Sequence, residues 1–92
     1  MKIRVKFLAY FRDLFGAQEI TLDLPPGALL GDLLERLGDT PERRQAILTE
    51  KGEIHSQVVV MKNGCPAQSA GGLNAPLADG DTVAVFPFLG GG

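Results

Sequence analysis

The chain has 92 residues, of which 45% are hydrophobic and 22% are charged, and this is the composition of one globular domain rather than of a disordered segment. Its net charge of −2 provides no basic field that could collect phosphate backbones, so we expect no nucleic-acid partner. No apolar run approaches the roughly 18 residues of a membrane span, and the N-terminal segment lacks the apolar stretch of a signal peptide. Since the single cysteine cannot form an internal disulfide, we predict a cytoplasmic protein with no membrane partner.

The first two predicted elements are strands whose polar faces carry opposite charge. Residues 2–9 alternate with a period of two, and their apolar face consists of Ile3, Val5, Phe7 and Ala9. Residues 19–24 repeat the alternation with an acidic polar face, whereas the polar face of the first strand is cationic. Antiparallel pairing would bring opposite charges together, each pair contributing about 0.2–1 kcal/mol. Between the strands, the apolar residues of 11–15 follow helical spacing, so we predict a helical turn that Gly16 ends and whose aromatic residues close one end of the core.

Two helices are predicted in the middle of the chain. Residues 25–27 (PPG) stop the second strand, because proline has no N–H for a ladder. Residues 28–38 then place five leucines on one helical stripe and end in a glycine, which predicts the main helix of the core. Thr40 is a suitable N-cap and Pro41 suits the first helical position, so a second, short and more polar helix is expected, ending at Gly52.

Two or three strands are predicted in the last third of the chain. Residues 57–62 are rich in β-branched side chains and are closed by Asn63-Gly64, a strong signal for a tight turn. Residues 65–68 could return as a short edge strand, and residues 69–81 read as a loop. Residues 82–86 are apolar on both faces apart from one threonine, which predicts a central strand covered by neighbours.

This order of elements predicts an α+β chain with the β-grasp, or ubiquitin-like, roll. The last strand would return beside the first and parallel to it, giving a mixed sheet of four to five strands with the main helix packed across one face and a short second helix beside it. We expect residues 1–87 to form this domain and residues 88–92 to form a flexible C-terminal tail that ends in glycines.

Outside the tail, the sequence offers little chemistry. The only cysteine and the only histidine, Cys65 and His55, cannot build a four-ligand zinc site or hold an iron–sulfur cluster, so we predict no metal site. No serine or cysteine has an evident catalytic triad around it. The tail follows the central strand directly, and its five residues can extend about 17 Å. Glycine has no side chain, so such a tail can enter a narrow channel with the carboxylate of Gly92 at its tip. A frayed chain end is the simpler alternative.

Three blocks of the sequence carry a resemblance to a known family. They are FLAYFRDLFGAQE at 7–19, PPGALLGDLLERL at 25–37, and the region from VVVMKNG to PLADGDTVAVFPFLGGG at 58–92. The chain resembles the family of molybdopterin synthase small subunits and thiamine sulfur carriers (MoaD/ThiS-like), relatives of ubiquitin. Two positions depart from it. Phe88 stands where a second proline is usual, and Leu29 stands where many relatives place a capping Thr or Ser, although Asp32 in the first turn can compensate.

The resemblance implies a role for the tail. In this family an E1-like activating enzyme uses ATP to adenylate the terminal glycine, and a persulfide protein then supplies sulfur to give a thiocarboxylate. Gly92 would be the site of this covalent chemistry, and the carrier would bind no cofactor and catalyse no step alone. Gly90 and Gly91 would keep the approach open, while an apolar neck would dock on the partner. The residues of that neck are Phe86, Pro87, Phe88 and Leu89.

The resemblance leaves the recipient of the sulfur open. Delivery to a pterin precursor, as the small subunit of molybdopterin synthase and with its large subunit as a partner, comes first, because DGDTVAVFP at 79–87 resembles that branch most closely. Thiamine or a sulfur amino acid pathway comes second. Two other classes are a ubiquitin-like modifier that is joined to target lysines and a plain interaction module whose tail has no function.

Overall fold

The computed structural model describes residues 1–88, which form a mixed five-stranded sheet with helices packed on one face. In chain order the elements are β1 (Lys2–Phe7), α1 (Tyr10–Phe15), β2 (Glu19–Asp23), α2 (Leu30–Leu37), α3 (Pro41–Ile47), β3 (Val58–Lys62), β4 (Cys65–Pro66), two 3-10 turns (Ala67–Ala70 and Gly72–Asn74) and β5 (Thr82–Pro87). None of the helices formed by residues 1–88 has the length and apolar composition of a membrane span.

The strand order is β2-β1-β5-β3-β4, which confirms the predicted β-grasp roll and the central position of the last strand. β5 runs parallel to β1 and antiparallel to β3, whereas β1 and β2 form the predicted antiparallel hairpin. The opposite charges of the hairpin do meet, since Lys2 Nζ lies 3.1 Å from Asp23 Oδ2 and Lys6 is directly across from Glu19.

The core lies between the sheet and α2. The leucines of α2 are buried, as are the inward residues of the two central strands; they are Leu30, Leu33, Leu34, Leu37, Ile3, Val5, Phe7, Val83 and Val85. At the start of α2, Leu29 has no side chain that could accept a hydrogen bond. The expected compensation is present, because the carboxylate of Asp32 accepts a hydrogen bond of 2.8 Å from the Leu29 N–H.

The connection after β1 differs in one respect from the prediction. β1 ends at Phe7, and Ala9 is exposed instead of continuing the apolar face. The reason is that Ala9 begins the turn into α1 with a positive φ of 54°, so the alternation of the strand ends before this residue. The predicted helical turn itself is confirmed: α1 ends at Gly16 in the left-handed region, and its Phe15 ring stacks on Phe7 with ring centroids 4.3 Å apart.

The second helix begins as predicted and ends earlier. Thr40 caps α3, its hydroxyl accepting a hydrogen bond of 3.1 Å from the Arg43 N–H. The predicted end at Gly52 is wrong, because α3 stops at Ile47. Leu48 takes an extended conformation, is only 2% exposed and forms an isolated antiparallel bridge with Ile54. Burial of Leu48 therefore ends the helix.

The predicted turn after β3 is confirmed, since Asn63 and Gly64 both have positive φ. The edge strand that follows is shorter than predicted. β4 contains only Cys65 and Pro66, because the chain turns into a 3-10 helix at Ala67, whose side chain is buried.

Candidate functional site

The C-terminal end of β5 carries the candidate site. Phe86 and Pro87 are half-buried in the strand, and Phe88 follows it with 53% of its surface exposed. Their proposed roles remain predictions. The other residues predicted to act here, Leu89, Gly90, Gly91 and Gly92, lie outside the described residues.

The register of β3 and β5 explains how a proline fits at the end of a central strand. The Phe88 N–H donates a hydrogen bond of 2.8 Å to the Gln57 carbonyl. Antiparallel pairs alternate between hydrogen-bonded and non-hydrogen-bonded, so the next pair, Val58 with Pro87, is one whose backbone groups point away from each other. Pro87 thus costs no bond to β3, and the backbone is tied to the sheet as far as Phe88.

Apolar side chains surround this end of β5 on the face of the sheet opposite α2. Residues paired across a sheet share a face, and the register places Val59 beside Phe86 and Met61 beside Ala84. Leu8 follows β1 at the level of Phe86 and is 51% exposed. We call this surface the tail-side patch; it consists of Leu8, Val59, Met61, Ala84, Phe86 and Phe88. An exposed contiguous apolar patch is typical of a protein-binding surface.

Four members of the tail-side patch are missing from the residues predicted to bind a partner: Leu8, Val59, Met61 and Ala84. One signal for Leu8 is present in the sequence, because the outward positions of β1 are cationic until Leu8 replaces the next charge with an apolar side chain. Val59 and Met61 require the register of β3 against β5, which their own segment does not specify.

Cationic side chains border the tail-side patch along β1. Lys6 lies directly across from Ala84 on the same face of the sheet, and Arg4 lies across from Thr82. Arg12 on α1 lines a shallow surface cavity together with Lys6 and Leu8. Glu19 lies across from Lys6 at this margin, so the cationic excess there comes from Arg4 and Arg12. The patch therefore suits a partner surface that is apolar with an acidic rim.

The opposite end of β5 is held by a polar cluster that joins two turns. The Asn63 amide donates a hydrogen bond of 2.9 Å to Asp81, and its oxygen accepts one of 2.9 Å from the Thr82 N–H. The second carboxylate oxygen of Asp81 accepts a hydrogen bond of 2.8 Å from the Ala78 N–H and lies 3.8 Å from Lys62 Nζ. We call Asn63, Asp81 and Lys62 the anchor cluster.

Asp81 is a buried carboxylate, and its surroundings favour the charged form. Burial alone would raise the pKa of Asp81. The hydrogen bonds from Asn63 and from the Ala78 N–H, together with the Lys62 ammonium, outweigh this effect and hold the pKa below its ordinary value. The anchor cluster is thus a structural device, and the rise of about 3.4 Å per strand residue places it about 20 Å from Phe88.

Comparison with known proteins shows which sequences and structures this chain is similar to. The family model described as "ThiS family" matches residues 5–92. Small archaeal modifier protein 3 of Haloferax volcanii is 35% identical over 92 residues, which cover all of both chains. The crystal structure of SAMP1 from Haloferax volcanii superposes with a TM-score of 0.84 at 27% identity and full coverage of both chains. A putative molybdopterin converting factor, subunit 1, from Pyrococcus furiosus superposes with a TM-score of 0.75 at 32% identity, covering 95% of this chain and 97% of that one.

Proposed function

Because the chain belongs to the ThiS family, we propose that it is a ubiquitin-like sulfur carrier whose C-terminal Gly92 carboxylate is adenylated and then converted to a thiocarboxylate. One structural observation supports this proposal above the others. The backbone is hydrogen-bonded to the sheet as far as Phe88, so the glycine segment that follows starts from a fixed point beside an exposed apolar patch. A frayed chain end needs no such surface.

The chemistry requires a partner enzyme at each step. A carboxylate is a poor electrophile, so Gly92 first attacks the α-phosphate of ATP, which releases pyrophosphate and leaves an acyl-adenylate. A persulfide sulfur then attacks the acyl carbon and displaces AMP. A second thiol reduces the resulting acyl disulfide, which leaves one sulfur on Gly92 and forms a disulfide on the donor. The described residues of this chain contribute binding surface to these steps, and ATP stays with the activating enzyme.

In this proposal the tail-side patch docks on the E1-like activating enzyme. Phe86, Pro87, Phe88 and Leu89 form the neck of the tail, while Gly90 and Gly91 let it pass through a channel too narrow for side chains. Apolar residues at the centre of the interface and cations at its margin follow the usual layout of transient protein interfaces. The cytoplasm, where ATP and reducing thiols are present, is the expected location.

For the recipient of the sulfur we propose a pterin precursor, with this chain acting as the small subunit of a molybdopterin synthase. Two observations support this choice: the similarity of residues 79–87 to that branch, and the 32% identity to the putative molybdopterin converting factor of Pyrococcus furiosus. A docked large subunit would then receive the thiocarboxylate. Conversion of a pterin precursor by the thiocarboxylated chain and that large subunit tests the choice, and transfer to a thiazole precursor instead would contradict it.

Protein modification is a second candidate function. It is favoured by the relative of 35% identity, which is named as a small archaeal modifier protein. The adenylate of Gly92 would then be attacked by a lysine amine, forming an isopeptide bond and releasing AMP. Gly-Gly remnants on lysines of cellular proteins, lost when Gly92 is deleted, would identify this function.

One experiment tests the activation step shared by both candidates. The full chain is incubated with the activating enzyme of its host, ATP and a persulfide donor, and its intact mass is measured. We expect a mass gain equal to the replacement of one oxygen by one sulfur, which requires ATP. A chain that keeps its mass while a known carrier in the same mixture gains sulfur would contradict the proposal.

A further inference from the structure

Half of β3 has an open edge, because β4 is only two residues long. β4 pairs with Met61 and Lys62 alone. The chain then turns away at Ala67 into a 3-10 helix that ends at Gly71 in the left-handed region. The edge of β3 at residues 58–60 is therefore left without a neighbouring strand in the part of the chain that the structure describes.

Outside the strand ladders, none of the backbone hydrogen bonds among residues 1–88 involves the Val58 carbonyl or the Val60 N–H. The odd-numbered residues of this segment face β5, as shown by the bonds from Phe88 N–H to Gln57 and from Asn63 N–H to Thr82. Val58 and Val60 must point the other way. The Val58 N–H confirms this orientation, since it donates to the His55 carbonyl at 3.0 Å, away from β5.

One residue of an added parallel strand would bond to both groups, because a parallel strand pairs each residue with an acceptor and a donor that lie two residues apart. Its N–H would donate to the Val58 carbonyl and its C=O would accept from the Val60 N–H. Val60 is only 4% exposed because its side chain lies in the core, so its backbone edge is the part that an added strand would contact. Such a strand would supply partners for both backbone groups.

A cavity of about 300 Å³ lies along the same edge, which is the lower end of the size range of ligand pockets. No residue that lines it is ionisable. Besides residues 58–60, its walls include Ile54, Pro66, Ala67, Gln68 and Phe88. The cavity therefore suits an uncharged side chain. A charged side chain would be disfavoured because no residue there could compensate for the free energy of its desolvation. We call the cavity and the open edge together the β3 groove.

We propose that the β3 groove binds an extended, uncharged segment of the activating enzyme, which adds as a short strand to β3. This inference rests on the proposed function, because it names the segment of the partner that the tail-side patch recruits. Phe88 belongs to both surfaces, so the groove continues the patch around the edge of the sheet. A strand bound there would hold the neck of the tail where the chain enters the enzyme.

A second copy of this chain fits the β3 groove less well than a peptide. The open edge is recessed between β4 at one end and residues 54–56 at the other, so a folded sheet of the same shape would bring its own β4 against these walls. A single extended segment has no such bulk. The opposite edge of the sheet, β2, carries the acidic residues Glu19 and Asp23, and charged side chains of this kind discourage strand addition.

The first test measures steady-state kinetics of the activating enzyme with the full chain as substrate. Gln68→Trp fills the groove from an exposed position, and Ser69→Trp adds the same side chain to the next residue, which does not line the groove. We expect Gln68→Trp to raise KM about tenfold with kcat unchanged and Ser69→Trp to leave both unchanged. Equal KM values for the two variants would overturn the proposal.

The second test needs neither ATP nor enzyme. The ¹⁵N-labelled chain is titrated with the capped hexapeptide Ser-Thr-Val-Val-Thr-Ser, and Ser-Thr-Val-Pro-Thr-Ser serves as a control that cannot complete the strand bonds. We expect shifts at the amides of Val60 and Phe88 with the first peptide and none with the second. Shifts confined to β2, or identical shifts with both peptides, would overturn the proposal that a strand adds at the β3 groove. Because Gly92 takes no part here, a failure of sulfur transfer is distinguished from a failure of this inference.

Discussion

β5 is held at its N-terminal end by polar side chains, whereas at its C-terminal end the described residues hold it by backbone hydrogen bonds and apolar packing. Asp81 and Asn63 fix the first end through hydrogen bonds of 2.8–2.9 Å. At the second end, Pro87 offers no N–H and Phe88 is more than half exposed. We propose that the difference separates two tasks within one strand: side chains anchor the strand where it begins, and a partner binds where it ends.

Changing the tail should produce the largest effect, on activation and not on stability. We expect Gly92→Ala to lower the rate of ATP–pyrophosphate exchange by the activating enzyme about a hundredfold, because a displacement of the reacting group of about 1 Å is enough for such a loss. The melting temperature should stay that of the unchanged chain. Exchange at the normal rate would show that the terminal residue does not enter a tight channel.

Removing the anchor should have the opposite signature. We expect Asn63→Ala to lower the free energy of unfolding by about 2–3 kcal/mol, since it leaves Asp81 and the Thr82 N–H without their partner. Denaturant unfolding measures the change. Asn74→Ala, at an exposed position without a side-chain hydrogen bond in the described structure, is the control and should stay within about 0.5 kcal/mol. The folded Asn63 variant should be activated at the normal rate. Impaired activation would show that the anchor cluster influences the C-terminal end of β5.

The pH dependence of stability should also depend on the anchor cluster, through Asp81. The pKa of Asp81 is lower in the folded chain than its ordinary value, so its stabilising contribution is complete above about pH 4 and is lost as the pH falls through the folded pKa. Unfolding curves measured from neutral to acidic pH test this. Asp81→Asn should be less stable at neutral pH and should lose less stability on acidification. If Asp81→Asn loses as much stability on acidification as the unchanged chain, other carboxylates cause the acid sensitivity.

The smallest effect is expected from the neck. We expect Phe88→Ala to raise the KM of the activating enzyme roughly fivefold, which corresponds to about 1 kcal/mol of binding free energy. Its stability should change by less than about 0.5 kcal/mol, because most of the ring is already exposed. Tyr10→Ala is a matched control, since Tyr10 is similarly exposed and lies outside the tail-side patch. Equal KM values for both variants would remove the neck from the interface.

Much of this fold could be predicted because its signals are local. The alternation in β1 and β2, the leucine stripe of α2 and the Thr40 cap all lie within single segments, and the structure confirms them. The errors occur where distant packing overrides a local signal. Burial of Leu48 ends α3 five residues before the glycine that should have ended it, and burial of Ala67 shortens β4.

The surroundings of the candidate site could be predicted only in part. The sequence alone indicated that Phe86, Pro87 and Phe88 lie at the C-terminal end of the central strand. The anchor cluster could not be predicted, because Asn63 and Asp81 are 18 residues apart and each one alone indicates only a turn. Leu8, Val59 and Met61 come together through the register of three strands, and a period of two within one strand cannot fix the register between strands.

We propose that Gly92 carries the sulfur, and fragmentation of the activated chain by mass spectrometry is the sharpest test of this proposal. The full chain is treated with the activating enzyme, ATP and a persulfide donor, and the C-terminal fragments are compared with those from a mixture without ATP. We expect an oxygen-to-sulfur replacement that is confined to fragments containing Gly92 and appears only with ATP. Sulfur on Cys65, or a C-terminus that stays a carboxylate under conditions that activate a known carrier, would contradict it.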